Sequence, residues 1–185
     1  MKVTNQHSNQ LIEKCKNGDK SAQFAVYKQY YKAMYNASLR IVNDSFEAED
    51  IMQESFLAAF TKLDSFSGNV TFGAWLKRIV INNSLTALKK NNRINTVPID
   101  KVTIIENEEE QLDASAFNSS IILNALKQLK SNYKVALTLN LIEGYDAEEI
   151  AQIMEISYEN SRTTISRAKN KLRHLLSQHY ERQLR

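Results

Sequence analysis

The chain has 185 residues, 43% hydrophobic and 24% charged, with a net charge of +3. The lone cysteine, Cys15, excludes an intrachain disulfide framework or a cysteine-based metal site, and no run approaches the ~18 apolar residues that a membrane span requires. With only four Gly, one Pro and no sustained apolar/polar alternation, the expected fold is all-α, as one domain or two small ones.

Met1 to Gln10 is polar and lacks the apolar core of a secretory signal, so a soluble cytoplasmic protein without membrane insertion is expected. Leu11 to Asn17 reads as a short helix ended by Gly18. Asp19 caps the next, in which Phe24, Tyr27, Tyr31, Met34 and Ser38 recur at three- and four-residue steps to about Val42. Aromatics at this spacing are expected in the core, with base stacking as the alternative.

Asn43 to Phe46 reads as a turn and Glu47 to Leu63 as a helix with Met52, Phe56, Phe60 and Leu63 on its buried stripe. Asp50, Gln53, Glu54 and Leu57 lie at i, i+3, i+4 and i+7 on another face, two carboxylates and an amide beside an apolar anchor. That combination suits a protein partner; the alternative is a solvated acidic face. No His, nucleophile or glycine-rich phosphate loop accompanies the carboxylates, so neither catalysis nor a cofactor or metal is expected.

Asp64 to Thr71 is a loop with Gly68 at its middle, including Ser67 and Asn69, and Phe72 to Lys90 is helical, with Phe72, Leu76, Ile79, Val80 and Asn83 on one side. From Lys77 to Arg93 there is no acid, and Lys77, Arg78, Lys89 and Lys90 make a phosphate-facing surface beside the polar loop. Trp75 is either core or a stacking wedge.

The pattern is lost from Ile94 to Phe117, where Pro98 and six acids against one lysine predict a flexible acidic linker between two modules. Asn118 to Leu129 and Asn132 to Ile142 read as helices. Asp146 and Glu149 then form a capping box opening a helix with Ala147, Ile150, Ala151 and Met154 on its apolar face. Ser157 caps another after a tight turn, with Glu159 near the positive end of its dipole.

That last helix has Ser161, Ile165, Ala168, Leu172, Leu175 and Leu176 on one face and Asn160, Thr163, Thr164, Arg167 and Lys171 on the other. Five basic residues, Lys169 among them, and no acid lie between Arg162 and Arg173. Two capped helices, a short turn and a polar, basic second helix form a helix-turn-helix whose second helix can read base edges and hold phosphates.

Taken together, the chain resembles an RNA polymerase sigma factor of the sigma-70 family, extracytoplasmic-function (ECF) group. AEDIMQESFLAAFTKLDSF is similar to the family's polymerase-binding helix, FGAWLKRIVINNSL to its −10-reading helix, and EGYDAEEIAQIMEIS with RTTISRAKNKL to its −35-reading helix-turn-helix. The resemblance implies a sigma2-like domain over 1–93, a linker over 94–117 and a sigma4-like domain over 118–185. It implies that Asp50, Gln53 and Glu54 dock on core RNA polymerase, that Asn82 reads the −10 element, and that the Ser65 to Thr71 loop receives a flipped base. Arg162, Thr163, Ser166 and Arg167 fall on the −35 contact positions. Promoter DNA and an anti-sigma factor are the other implied partners, with initiation rather than enzymatic chemistry as the function.

The chain departs from the family at Glu155, where the turn usually has Gly and a left-handed backbone would cost about 1 kcal/mol, at Ser161, where Val or Ile is usual, and at Leu129-Lys130 and Thr86. Two rival readings follow from the residues alone: a helix-turn-helix regulator acting on a palindromic operator without polymerase, and a helical adaptor that binds only protein.

Overall fold

Asp19 has an extended backbone, and its Oδ1 accepts from the Ser21 and Ala22 N–H groups at 2.8 and 3.1 Å, satisfying two of the free donors of a helix start. In the computed structural model, which describes residues 10–94 and 114–183 and side chains over 10–91 and 121–178, this cap separates α1 (residues 10–16) from α2 (Lys20–Val42). Asn43 closes α2 in the left-handed region at φ 62. Asp44 then caps α3 (Ser45–Thr61) by accepting from the Glu47 N–H at 2.9 Å. The turn is therefore tighter than its predicted span of Asn43 to Phe46, because Asn43 ends one helix and Asp44 starts the next.

A 3-10 turn (Leu63–Ser65) and a loop lead to α4 (Phe72–Ile94). Helix α2 packs on α3 and α4, and α1 adds Ile12 and Cys15 to a core that includes Val26, Met34, Met52, Phe56, Leu76 and Val80. Buried polar pairs stitch the helices: Asn83 Nδ2 donates to Ser55 Oγ at 2.9 Å, and the Ser84 and Ser38 hydroxyls share a hydrogen bond at 3.0 Å. Such pairs satisfy groups that would be costly to bury alone.

The aromatic stripe of α2 is not the core it was expected to be. Phe24 is 59% exposed and Tyr31 38%, while Ala22, Val26, Met34, Ala37, Ser38 and Ile41 are buried. The two close neighbours meet α2 mainly through small and aliphatic side chains, leaving the rings at the flank. Tyr27 alone of the three turns inward, 4.9 Å from the Phe56 ring centroid, and Lys28 Nζ stands 4.8 Å from that of Phe24.

The chain divides into two compact units, the first within Met1–Val97 and the second within Pro98–Arg185. The second contains α5 (Ala114–Lys127), α6 (Ser131–Leu137), a π-helical turn (Thr138–Ile142), α7 (Ala147–Met154) and α8 (Tyr158–Gln183). Ala125, Leu126, Leu129, Leu137, Ala168 and Leu172 form its core, joined by half-buried Tyr133, Leu175 and Leu176. The predicted helix from Asn132 to Ile142 runs on without interruption but widens into a π turn from Thr138, and Asn140 Nδ2 donates to the Tyr145 carbonyl at 2.9 Å. Most of the expected linker over 94–117 lies outside the described residues. Every regular element among the described residues is helical, as the composition predicts.

Candidate functional site

Three exposed surfaces carry the candidate residues. On α3, the Asp44 cap and the inward stripe of Ala48, Ile51, Met52, Ser55, Phe56 and Ala59 fix which side faces water. Asp50, Gln53, Glu54 and Leu57 all lie on the outer side, with Leu57 68% exposed. Gln53 Nε2 donates to Glu49 Oε1 at 3.2 Å, which adds a further carboxylate to the ridge.

The second surface begins at the loop before α4. Ser67, Gly68 and Asn69 are exposed, and Gly68 adopts φ +76, a conformation that L side chains rarely tolerate. Behind the loop, Phe66, Phe72 and Trp75 form an aromatic cluster with centroid separations of 5.4 to 5.6 Å, and Tyr30 joins it 5.7 Å from Phe72. A Cβ on Gly73 would sit 2.8 Å from the Tyr30 ring, so the glycine permits this approach. Burial pushes the Tyr30 phenol above its ordinary pKa. Trp75 is half-buried against the core with its ring on Phe66 and Phe72, the first of the two readings left open for it.

Along α4, Trp75, Arg78, Asn82, Thr86 and Lys89 recur at steps of three and four and share one side. Asn82 is exposed, and Thr86 Oγ1 donates to its backbone carbonyl at 2.9 Å. Lys90 is exposed beside this line. Lys77 is half-buried and about 140° round the helix from Asn82, so it is not brought together with the others. Charge alone grouped it with them; helical phase separates it.

The third surface is α8. The motif is capped as expected: the Asp146–Glu149 capping box that opens α7 is complete, with bonds of 2.8 and 2.9 Å, and at the start of α8 the Asn160 N–H donates to Ser157 Oγ at 3.2 Å. Between the helices Glu155 is left-handed at φ 58, ψ 46, and the Ile156 N–H closes back on the Ala151 carbonyl at 3.0 Å. Ser161, Ile165, Ala168 and Leu172 are buried, and Arg162, Thr163, Ser166 and Arg167 are exposed.

Spaced at i, i+1, i+4 and i+5, these four form one continuous outward arc, with Ser166 between Arg162 and Thr163 rather than at a margin. The Arg162 guanidinium lies 5.7 Å from the Tyr158 ring centroid. Asn160 and Lys171 extend the arc on the Arg167 side, and Thr164 is half-buried at its edge. Lys169 is half-buried, about 20° round the helix from Arg162, at the opposite edge of the arc from Lys171.

Residues 26–94 match Sigma-70 region 2, and residues 119–172 match Sigma-70, region 4. The ECF RNA polymerase sigma-E factor of Salmonella typhimurium is 30% identical over 172 residues, covering 86% of this chain and 88% of that protein. The chain belongs to the ECF group of sigma-70 family sigma factors.

This ECF sigma factor is also 29% identical over 178 residues to the RNA polymerase sigma-H factor of Pseudomonas aeruginosa, with 90% of this chain and 92% of that one covered. Among solved structures, the sigma factor RpoE of Bartonella quintana, crystallised with the anti-sigma factor NepR, is similar at TM-score 0.62 and 25% identity, covering 83% of this chain and 95% of that one. CnrH, solved with the cytosolic domain of CnrY, shares the fold at TM-score 0.58 and 21% identity over 92% of this chain and 97% of that one.

Membership makes the chain a promoter-directed transcription initiation factor and sets aside the polymerase-independent regulator and the protein-only adaptor. Sequence reasoning missed Tyr30 and Phe66 in this sigma factor. The one available signal was Gly73 inside a helical pattern, which marks a close backbone approach.

Proposed function

We propose that this sigma factor docks on core RNA polymerase through Asp50, Gln53, Glu54 and Leu57, reads the −10 element with α4 and the 67–69 loop, and reads the −35 element with the outward arc of α8. Residues 1–93 then act as the polymerase and −10 module and 118–185 as the −35 module, joined by the acidic segment 94–117.

Recognition at −10 needs a base taken out of the stack, which costs a few kcal/mol. The half-buried rings of Phe66 and Trp75 offer a stacking floor for it beside the open loop. Asn82 offers both a donor and an acceptor to a base edge, while Arg78, Lys89 and Lys90 hold the sugar-phosphate path. At −35, Arg162 and Arg167 suit bidentate contacts to guanine or phosphate, with Thr163 and Ser166 between them. Polymerase supplies the chemistry, so the chain is not itself an enzyme, and it works in the cytoplasm. No helix among the described residues is long and apolar enough to cross a membrane. An anti-sigma factor, such as the one crystallised with the Bartonella relative, covers these surfaces until a signal arrives.

The observation that carries the reading is the alignment of exposed Asn82 with Arg78, Lys89 and Trp75 on one side of α4, next to the aromatic-floored loop. Run-off transcription with core enzyme on promoters from the source genome tests it. Initiation should occur only with both elements intact, and transcripts no more abundant than with core alone would overturn the reading.

A further inference from the structure

Phe46 is 81% exposed, the most exposed large apolar side chain among the described residues. Its helix had a core to offer: two positions on, Ala48 is fully buried, and Ile51 and Met52 follow it inward. The ring instead stands on the opposite side, in the first turn of α3. The backbone that presents it is held on both flanks. Asp44 caps that turn at 2.9 Å, and the Glu47 carboxylate accepts from Asn91 Nδ2 of α4 at 2.7 Å.

Phe46, Asp50, Gln53 and Leu57 follow one another at steps of four, three and four, the spacing of a single stripe. Phe46 and Leu57 are eleven residues apart, which places them about 16 Å apart along the axis and only about 20° apart around it. Two exposed apolar side chains thus bracket a carboxylate and an amide, with Glu49 and Glu54 at the sides. The geometry points to Phe46 as a second apolar anchor of the polymerase-docking ridge, paired with Leu57 across the acidic run; this rests on the reading of that ridge given above.

The partner surface this fits is a helix lying along α3, with lysines or arginines at its middle and an apolar hole on either side, one of them large enough for a benzyl ring. Charge decides the class of occupant. Nucleic acid would meet Asp50, Glu49 and Glu54 with its own negative charge, and a second copy would set one acidic run against another. Aromatic anchors are frequent among the few residues that dominate an interface, and truncating one mainly speeds dissociation.

The test titrates labelled full-length protein with core RNA polymerase. Phe46→Ala should weaken binding about tenfold or more, mostly in the dissociation rate, while Phe46→Leu recovers most of the loss. Phe46→Ala with Leu57→Ala should lose close to the product of the two single effects, since the sites are too far apart to couple. Melting temperatures should be unchanged, because both side chains are in water. If Asp50→Asn and Leu57→Ala weaken binding but Phe46→Ala does not, the second anchor is wrong and the ridge stands. If none of the three matters, the ridge itself is wrong and the anchor with it. If Phe46→Ala leaves core affinity intact and abolishes a dimer in sedimentation, the ring belongs to a second copy and the inference is overturned.

Discussion

The Asn83 amide donates to the Ser55 hydroxyl, which itself donates to the Ile51 carbonyl at 2.6 Å, so the second asparagine of a neighbouring pair ties α4 to α3 while the first, Asn82, faces water. Two chemically identical side chains in sequence therefore have separable roles. Asn83→Ala should lower stability by about 1 kcal/mol, the net contribution of one such bond, without changing which bases are preferred at −10. Asn82→Ala should leave the urea midpoint unchanged and weaken binding to a single-stranded −10 oligonucleotide by about 1 to 3 kcal/mol. If both variants lose stability alike, Asn82 is structural and the −10 assignment is wrong.

The helix-turn-helix carries two residues that do not suit their places. Glu155 holds φ 58 where glycine would be unstrained, and Ser161 Oγ is buried with no hydrogen-bond partner among the described residues. Glu155→Gly should gain up to about 1 kcal/mol from relief of the left-handed backbone, less the entropy glycine adds to the unfolded chain. Ser161→Ala should gain about 1 kcal/mol by removing an unsatisfied hydroxyl. Thermal melting of the single variants checks both. A lower midpoint for Ser161→Ala would mean that the hydroxyl has a partner in solution.

Much of the fold was legible because its signals are local. Asp19, Asp146 with Glu149, and Ser157 cap the helices they were expected to cap, since a short carboxylate or hydroxyl before an apolar repeat has few other uses. The inner face of α8 was legible for the same reason, and there Ser161 obeyed its position rather than its polarity. The outward side of α2 was not. Periodicity says which residues share a face, but not which face a neighbour covers, and so Phe24 and Tyr31 were placed in the core. Grouping by charge had the opposite weakness: Lys77 belongs to a basic stretch yet lies off the side of α4 that Asn82 defines. Tyr30 and Phe66 meet Phe72 only through tertiary packing, which no window of sequence displays.

Lys89 and Lys90 test the DNA-facing end of α4 independently of any base. A phosphate contact releases condensed counterions, so each lysine in contact contributes about 0.9 to the slope of log affinity against log salt on duplex DNA. The double alanine variant should therefore lose nearly two units of slope and weaken binding to all sequences about equally. An unchanged slope would remove both from the interface.

Lys134 gives the second unit a pH dependence of definite sign. Burial, with Lys127 nearby, holds its ammonium below the ordinary lysine range. The folded state therefore binds its proton less tightly than the unfolded chain does. Below the lowered pKa the full cost of a half-buried charge is present; between that value and the ordinary one the unfolded chain carries more protons, so stability rises with pH across this window. Lys134→Met keeps the apolar length and removes the charge. It should be more stable than the parent at neutral pH, and the advantage should shrink as alkaline pH discharges the parent lysine. Urea unfolding of the two proteins from neutral to alkaline pH measures the difference, in which other titrating groups largely cancel. Parallel curves would mean that the Lys134 ammonium reaches water in the folded state, and a parent that gains nothing on the variant as pH rises would show that its proton is held as tightly after folding as before.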